Sequence, residues 1–191
     1  MNEIAISVRN LSKDFRRVTL GFALAALFLI VGIVYAHNLE EETFNRGMNY
    51  TSKGMYDEAI EEFTKAIEKN PKNAYAYYNR GLTYHKKGKL DKAILDYDKA
   101  IEINPKEAEI YYNRGIAYYY KDYLSQAISD WSKAVEISPD SAAIYQKRAF
   151  AYFKKEEYDK SWQDVHKVEE LGYRVEDKFL EDLKKFSGRV K

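Results

Sequence analysis

Residues 77–105 read YYNRGLTYHKKGKLDKAILDYDKAIEINP, and a closely similar stretch, YYNRGIAYYYKDYLSQAISDWSKAVEISP, returns 34 residues later at 111–139. A third copy, TFNRGMNYTSKGMYDEAIEEFTKAIEKNP, stands 34 residues earlier at 43–71. A fixed period of this length predicts a solenoid, in which each repeat buries its apolar face only by stacking on its neighbours.

The small and aromatic residues of each copy predict two helices that pack closely. They recur at intervals of three, four and seven residues, which places them on one stripe of each helix. Glycine and alanine let the two helix axes approach, and the aromatic residue fills the space between them. The matching columns are Gly47, Gly81 and Gly115; Tyr50, Tyr84 and Tyr118; Ala59, Ala93 and Ala127; Phe63, Tyr97 and Trp131; and Ala66, Ala100 and Ala134.

Glycine and proline mark the ends of the predicted helices. Gly54 and Gly88 lie where the first helix must stop and reverse, a position that suits a residue able to adopt positive φ. Asp122 and Glu156 occupy this position in the next two copies, so we expect less ideal turns there. The second helices are predicted to end before proline, because the residue that precedes a proline is pushed out of the helical region. All three prolines fall in this column: Pro71, Pro105 and Pro139.

The period and these columns resemble the tetratricopeptide repeat (TPR) family over residues 40–174. The resemblance implies an all-α fold, a right-handed α-solenoid of TPR helical hairpins. Its full repeats are 40–73, 74–107 and 108–141.

The C-terminal part of the chain departs from the repeat pattern. Residues 142–174 form a degenerate fourth repeat, as expected of a unit at the end of a solenoid. It retains tyrosine in two columns but differs in others: Tyr145 and Tyr152 are kept, whereas Ala149, Ser161, Val165, Val168 and Tyr173 are replacements. Residues 175–191 are amphipathic and predict a C-terminal cap helix that covers the open end.

Residues 18–36, VTLGFALAALFLIVGIVYA, predict one N-terminal transmembrane helix. The segment carries no charge, and at about 1.5 Å per residue it matches the ~30 Å hydrocarbon core of a bilayer. Basic residues precede it and glutamates follow it. This asymmetry predicts that residues 1–17 are cytoplasmic and that the repeats are extracytoplasmic, periplasmic in a bacterium.

Two other interpretations of this segment stay open. Val34, Tyr35 and Ala36 have the small-residue character of a signal-peptidase site, so the segment could instead be a cleaved export signal that releases a soluble periplasmic protein. Arg16 and Arg17 could belong to a twin-arginine signal, although the residues that follow them fit such a signal poorly.

Composition limits the classes of function. The chain has 31 basic and 30 acidic residues, and this balance argues against nucleic-acid binding. The sequence has no cysteine, which excludes disulfides and thiol catalysis. His37, His85 and His166 are far apart and have no metal-ligand spacing. We therefore predict no catalytic residues, no metal and no cofactor. Acidic pairs such as Glu61-Glu62 and Asp96/Asp98 are expected to be solvated charges on helix faces.

The resemblance implies a concave groove lined by the fifth, sixth, ninth, twelfth and thirteenth positions of each repeat. Asparagine amides can hold peptide units and tyrosines add contact area, so the groove is predicted to bind an extended or helical peptide. An apolar ninth column favours a hydrophobic ligand over a terminal carboxylate. The alternative, that Asn79 and Asn113 only bond to neighbouring helices, stays open. The predicted partner-binding residues are Phe44, Asn45, Tyr78, Asn79, Leu82, His85, Tyr112, Asn113, Ile116, Tyr119, Lys147 and Phe150.

Together these patterns predict a non-catalytic scaffold for protein–protein interaction, anchored in the membrane by residues 18–36. Its groove would face an extracytoplasmic protein partner. Exposed aromatic residues at a solenoid end also allow a homo-oligomeric assembly protein. A polysaccharide platform on Tyr78, Tyr112 and Tyr119 is the weaker alternative, since such platforms usually also use carboxylate or amide pairs.

Overall fold

The computed structural model describes residues 27, 29–32 and 39–188 of the chain. In this part of the chain every regular element is an α-helix, and Leu27 and residues 29–32 are helical as well. The helices are α1 (39–52), α2 (Tyr56–Lys69), α3 (Ala74–Lys86), α4 (Leu90–Ile103), α5 (Ala108–Tyr120), α6 (Leu124–Ile137), α7 (Ala142–Lys154), α8 (Tyr158–Glu170) and α9 (Asp177–Ser187).

Consecutive helices form hairpins that stack along the chain, which confirms the predicted all-α repeat architecture. The first helices of successive hairpins begin at Ala74, Ala108 and Ala142, at the 34-residue period of the sequence. The second helices α2, α4 and α6 end at Lys69, Ile103 and Ile137, just before the three prolines. Asn73 caps α3, because its Oδ1 accepts a hydrogen bond from the Ala76 N–H at 3.0 Å.

The predicted cytoplasmic segment 1–17 lies outside the described residues, and so does most of the predicted membrane-spanning segment 18–36. Within residues 27, 29–32 and 39–188, no helix is both long and apolar enough to cross a bilayer.

The third and fourth hairpin turns contain strained residues, as the sequence predicts. Asp122 and Glu156 have φ values of 63° and 61°, close to the 73° and 72° of Gly54 and Gly88. In each turn the residue that follows donates its N–H back to the first helix, and this bond requires the left-handed conformation. A side chain with a Cβ adopts that conformation at a cost of about 1–2 kcal/mol.

Glycine in the first helix of a hairpin lets the aromatic residue of the second helix pack against its backbone. A Cβ built at Gly47, Gly81 or Gly115 would lie 2.7, 2.8 or 2.6 Å from the ring of Phe63, Tyr97 or Trp131. All three rings are at most 1 % exposed. The fourth repeat has Ala149 where the others have glycine, and the smaller Val165 replaces the ring, so both members of the contact change together.

The expectation that the acidic pairs are solvated is wrong for Glu62 and Asp96, which are both buried. Each of these carboxylates lies 16 residues after an arginine and accepts a hydrogen bond from that arginine. The arginine directly follows the sixth position of the repeat. The pairs with this spacing are Arg46–Glu62, Arg80–Asp96, Arg114–Asp130 and Arg148–Asp164. The carboxylates point into the hairpin, because the charge that compensates them lies on the other helix.

Three of these arginines also bond to the preceding hairpin. Nη1 of Arg80 donates to Thr64 Oγ1 at 3.0 Å, and Nη1 of Arg148 donates to Ser132 Oγ at 3.0 Å. The equivalent partner of Arg114 is Asp98, at 2.5 Å. Each of these guanidinium groups therefore links the second helices of two successive repeats, which sets the stacking that positions the groove.

The C-terminal helix α9 occupies the place where the first helix of a fifth repeat would start. Phe179 and Leu183 are buried against α7 and α8, together with Val175 just before the helix. Nε1 of Trp162 on α8 donates to Ser187 Oγ at 3.0 Å. Apolar residues of α9 therefore cover this side of α8. Charged residues lie on the opposite, outer side of α9.

Candidate functional site

The predicted groove residues lie on α1, α3, α5 and α7, the first helix of each hairpin. Because the repeats are in register, residues of one column form a row that crosses these helices. Asn45 and Lys147 are exposed, and Tyr78 is buried. The remaining nine predicted residues are half-buried, which leaves part of each side chain on the surface: Phe44, Asn79, Leu82, His85, Tyr112, Asn113, Ile116, Tyr119 and Phe150.

Tyr78 packs in the interior of its repeat. Its ring centroid lies 6.0 Å from that of Tyr97, and only 7 % of the residue is exposed. Burial raises the pKa of the Tyr78 hydroxyl, and a hydrogen bond with Glu109 raises it further. The structure therefore places Tyr78 beneath the groove surface, where it supports the neighbouring Asn113.

Two groove asparagines, Asn79 and Asn113, use amide donors within the protein. Nδ2 of Asn113 donates to the Tyr78 hydroxyl and to the Glu109 carbonyl, each at 2.9 Å. Nδ2 of Asn79 donates to the Tyr75 carbonyl at 2.8 Å. A primary amide has two N–H donors, so both donors of Asn113 are used. These contacts favour the structural interpretation of Asn113, whose carboxamide oxygen remains for a partner, whereas Asn79 keeps its oxygen and its second N–H.

An apolar pocket of about 110 Å³ opens between α5 and α7. An apolar cavity of about 150 Å³ accommodates benzene, so this pocket has room for one apolar side chain. Its lining combines aromatic rings, an aliphatic side chain and one lysine: Ile116, Tyr119, Tyr120, Trp131, Lys147 and Phe150. The structure thus brings together four of the predicted residues, Ile116, Tyr119, Lys147 and Phe150.

Tyr120 and Trp131 were not among the predicted site residues. Tyr120 is 69 % exposed, and its ring packs against both His85 and Tyr119, with centroids 5.9 and 6.3 Å away. It belongs to the thirteenth column, whose other members are polar, so the column pattern did not predict an aromatic binding residue at this position. Trp131 belongs to the core column that fills the hairpin, but one edge of its large ring reaches the pocket.

Aromatic contacts connect the pocket to the neighbouring repeats. The ring of Tyr119 lies 5.9 Å from that of Trp131, and the ammonium of Lys154 lies 5.2 Å from the Tyr119 centroid. Burial lowers the pKa of the His85 imidazole, so this side chain is neutral near pH 7. Because the ring of Tyr120 packs against those of His85 and Tyr119, the three side chains form one continuous aromatic surface from α3 to α5.

The C-terminal helix α9 forms part of the groove, in addition to its predicted capping role. Phe179 on α9 packs against Phe150, with ring centroids 4.2 Å apart, and against Phe153 at 5.4 Å. A second recess, of about 330 Å³, lies between α9 and the ends of α5 and α7. Residues 39–188 contain no cluster of three metal-ligating side chains.

Comparison with known families identifies the repeats. The profile of the TPR repeat family matches residues 47–88, 82–122 and 118–156, which together span more than half of the chain. The chain therefore belongs to the TPR repeat family. Comparison with curated protein sequences gives no significant match.

Several solved structures resemble the chain. A fragment of MamA from Desulfovibrio magneticus RS-1, from residue 41 to its end, is 25% identical with a TM-score of 0.66, and the match covers 70% of this chain and 75% of that one. The first TPR of Spaghetti (RPAP3), bound to the HSP90 peptide SRMEEVD, is 25% identical with a TM-score of 0.60 and coverages of 61% and 93%. A TPR protein from Parabacteroides merdae is 24% identical with a TM-score of 0.73 and coverages of 79% and 61%, which shows the fold alone.

Proposed function

We propose that this protein is a non-catalytic scaffold that binds a protein partner through the groove formed by α3, α5, α7 and α9. This proposal rests on the apolar pocket beside the exposed ring of Tyr120. Tyrosine offers a large, rigid contact surface with a polar tip, a combination that is enriched at protein interfaces. The pocket is sized for a side chain, whereas drug-sized ligands occupy pockets of about 300–1,000 Å³.

The RPAP3 structure supports a peptide as the ligand. That domain is similar over 61% of this chain and is bound to a short peptide. In our proposal, an apolar side chain of the partner enters the pocket between α5 and α7, and the partner backbone runs along the row of first helices.

Site-specific photocrosslinking in native membranes tests this function. A benzophenone amino acid at position 120 of the full chain is expected to crosslink a defined partner. The matched control carries the same group in place of Leu95 on α4, which is 65 % exposed but lies outside the groove columns. We expect the partner to be absent from the control and lost when Phe150→Ala is added to the position-120 variant. Identical products at both positions, or none at position 120, would contradict the proposal.

We further propose that residues 18–36 anchor the protein in the membrane and that the repeats are extracytoplasmic. The apolar length of this segment and its basic N-terminal flank support this topology. Leu27, Leu29, Ile30 and Val31 are helical and more than half exposed, and a lipid environment would cover such side chains.

Alkaline extraction of membranes and sequencing of the mature N-terminus test the anchor. We expect the protein to remain in the membrane pellet and to retain residues 1–17. External protease is expected to digest the repeats in intact spheroplasts, because they lie outside the cytoplasm. Recovery of a soluble protein that begins near His37 would favour the cleaved-signal alternative, and protection of the repeats would refute the topology.

A further inference from the structure

The predicted groove columns are free of acidic residues. Across four repeats, the fifth, sixth, ninth, twelfth and thirteenth positions contain no aspartate or glutamate, although 30 of the 191 residues are acidic. The same columns contain Lys86, Lys147 and Lys154. The chain as a whole is nearly neutral, so these five columns are more positive than the rest of the chain.

The three lysines differ in their ion pairing. Lys86 and Lys147 make no ion pair with any described residue, whereas Lys154 pairs with Asp122 at 2.7 Å. Among the lysines on the second helices, Lys99 pairs with Glu102 and Lys133 with Glu136, each at 2.6 Å. The ammonium of Lys147 therefore lies beside the apolar pocket and is available to an anionic group of a partner.

Among the described residues, carboxylates lie at the margins of the groove, where Asp122 pairs with Lys154. Glu109 lines a separate recess near the start of α5, and Glu176 and Asp182 line the recess beside α9. An anionic partner would avoid these margins and place its charges near Lys86 and Lys147. Both amide donors of Asn113 are already engaged, so this side chain offers no N–H to an anionic group.

We infer that the partner segment is acidic and amphipathic, with one apolar side chain in the pocket and carboxylate side chains beside Lys147 and Lys86. This inference rests on the proposed peptide-binding function of the groove. It requires no free C-terminus, because the apolar ninth column places Ile116 and Phe150, not cationic groups, on the floor of the groove. Charge complementarity of this kind determines the choice of partner and the rate of association more than the area of contact does.

Selection from a library of random peptides tests the inference. The peptides are displayed inside a carrier loop, without a free C-terminus, and selected on the full chain in detergent micelles. We expect the recovered sequences to combine aspartate or glutamate with aliphatic or aromatic residues. Lys147→Glu is expected to weaken their binding by about tenfold at low ionic strength, and added salt should reduce the difference. The control Lys133→Glu, on the second helix α6, should bind as the original chain does.

The outcomes separate this inference from the proposed function. Recovery of neutral or basic peptides whose binding is lost in Tyr120→Ala would overturn the acidic partner while leaving the groove as a peptide site. Peptides that bind Tyr120→Ala unchanged, or a selection that recovers none, would overturn both. Tyr120 and Lys147 are exposed, so these substitutions leave the packed interior intact.

Discussion

Replacement of Arg114 by methionine is expected to lower the free energy of unfolding by about 3–5 kcal/mol, the usual cost of removing one partner of a buried ion pair. The Arg114 guanidinium donates to both oxygens of Asp130, from Nε at 2.8 Å and Nη2 at 2.6 Å. The side chains are only 18% and 7% exposed. Methionine fills a similar volume, so the main loss is the compensating charge for Asp130 and, in the preceding repeat, for Asp98.

The dependence on pH distinguishes this loss of charge from a loss of packing. Burial raises the pKa of the Asp130 carboxyl, and Arg114 opposes the rise. Without Arg114 the pKa should rise further. A carboxyl group whose pKa is raised by folding destabilises the folded protein at pH values above that raised pKa. This destabilisation disappears as the pH falls towards the ordinary pKa of the group in the unfolded chain. The deficit of Arg114→Met should therefore shrink as the pH is lowered from neutral towards 3.8, the ordinary pKa of an aspartate.

Arg46→Met is the matched control, because the same pair occurs at the exposed end of the solenoid. Arg46 is 44% exposed, and solvent can replace its contact with Glu62. We expect a clearly smaller loss than for Arg114→Met. Urea unfolding of the full chain, followed by circular dichroism at several pH values, measures both variants. Equal losses, or a deficit in Arg114→Met that is independent of pH, would contradict the buried-charge explanation.

The helical hairpins could be predicted from the sequence because they depend on local spacing. The columns of glycine, alanine and proline report helix contacts and helix ends directly, and the structure places those ends where the columns predict them. The buried role of Glu62 and Asp96 could not be read this way, since helical spacing within one segment does not show which face its partner helix covers. The signal was present in the columns: an arginine recurs every 34 residues, and an acidic residue always follows it 16 positions later.

The groove was less predictable than the fold. Column positions predict which helix face forms the groove, and Ile116, Tyr119, Lys147 and Phe150 do line one pocket. The columns do not show which hydrogen bonds the side chains make with one another. The hydrogen bond from Asn113 to Tyr78 could therefore not be predicted from them. The contribution of α9 also required the structure, because residues 175–191 match no full repeat and their packing on Phe150 depends on the stacking of every hairpin before them.

Gly115→Ala is expected to destabilise the protein by about 2 kcal/mol, although alanine is favoured over glycine in helices by about 1 kcal/mol. The new Cβ would lie 2.6 Å from Nε1 of Trp131. The indole cannot easily move away, because it is 1 % exposed and its Nε1 donates to the Tyr112 carbonyl at 3.1 Å. Trp131 also forms part of the pocket, so the variant should lose photocrosslinking from position 120 as well as stability.

The fourth repeat supplies the control for this prediction. Ala149→Gly makes the reverse change where Val165 replaces the ring, and it should also destabilise, by about 1 kcal/mol, because the methyl group fits there and glycine is the poorer helix former. Glycine-to-alanine and alanine-to-glycine substitutions would then both lower stability. The residue that packs across the hairpin decides whether glycine or alanine is tolerated. Urea unfolding followed by circular dichroism measures both. A Gly115→Ala variant as stable as the original chain would show that Trp131 can shift, and that glycine is not required for the hairpin to close.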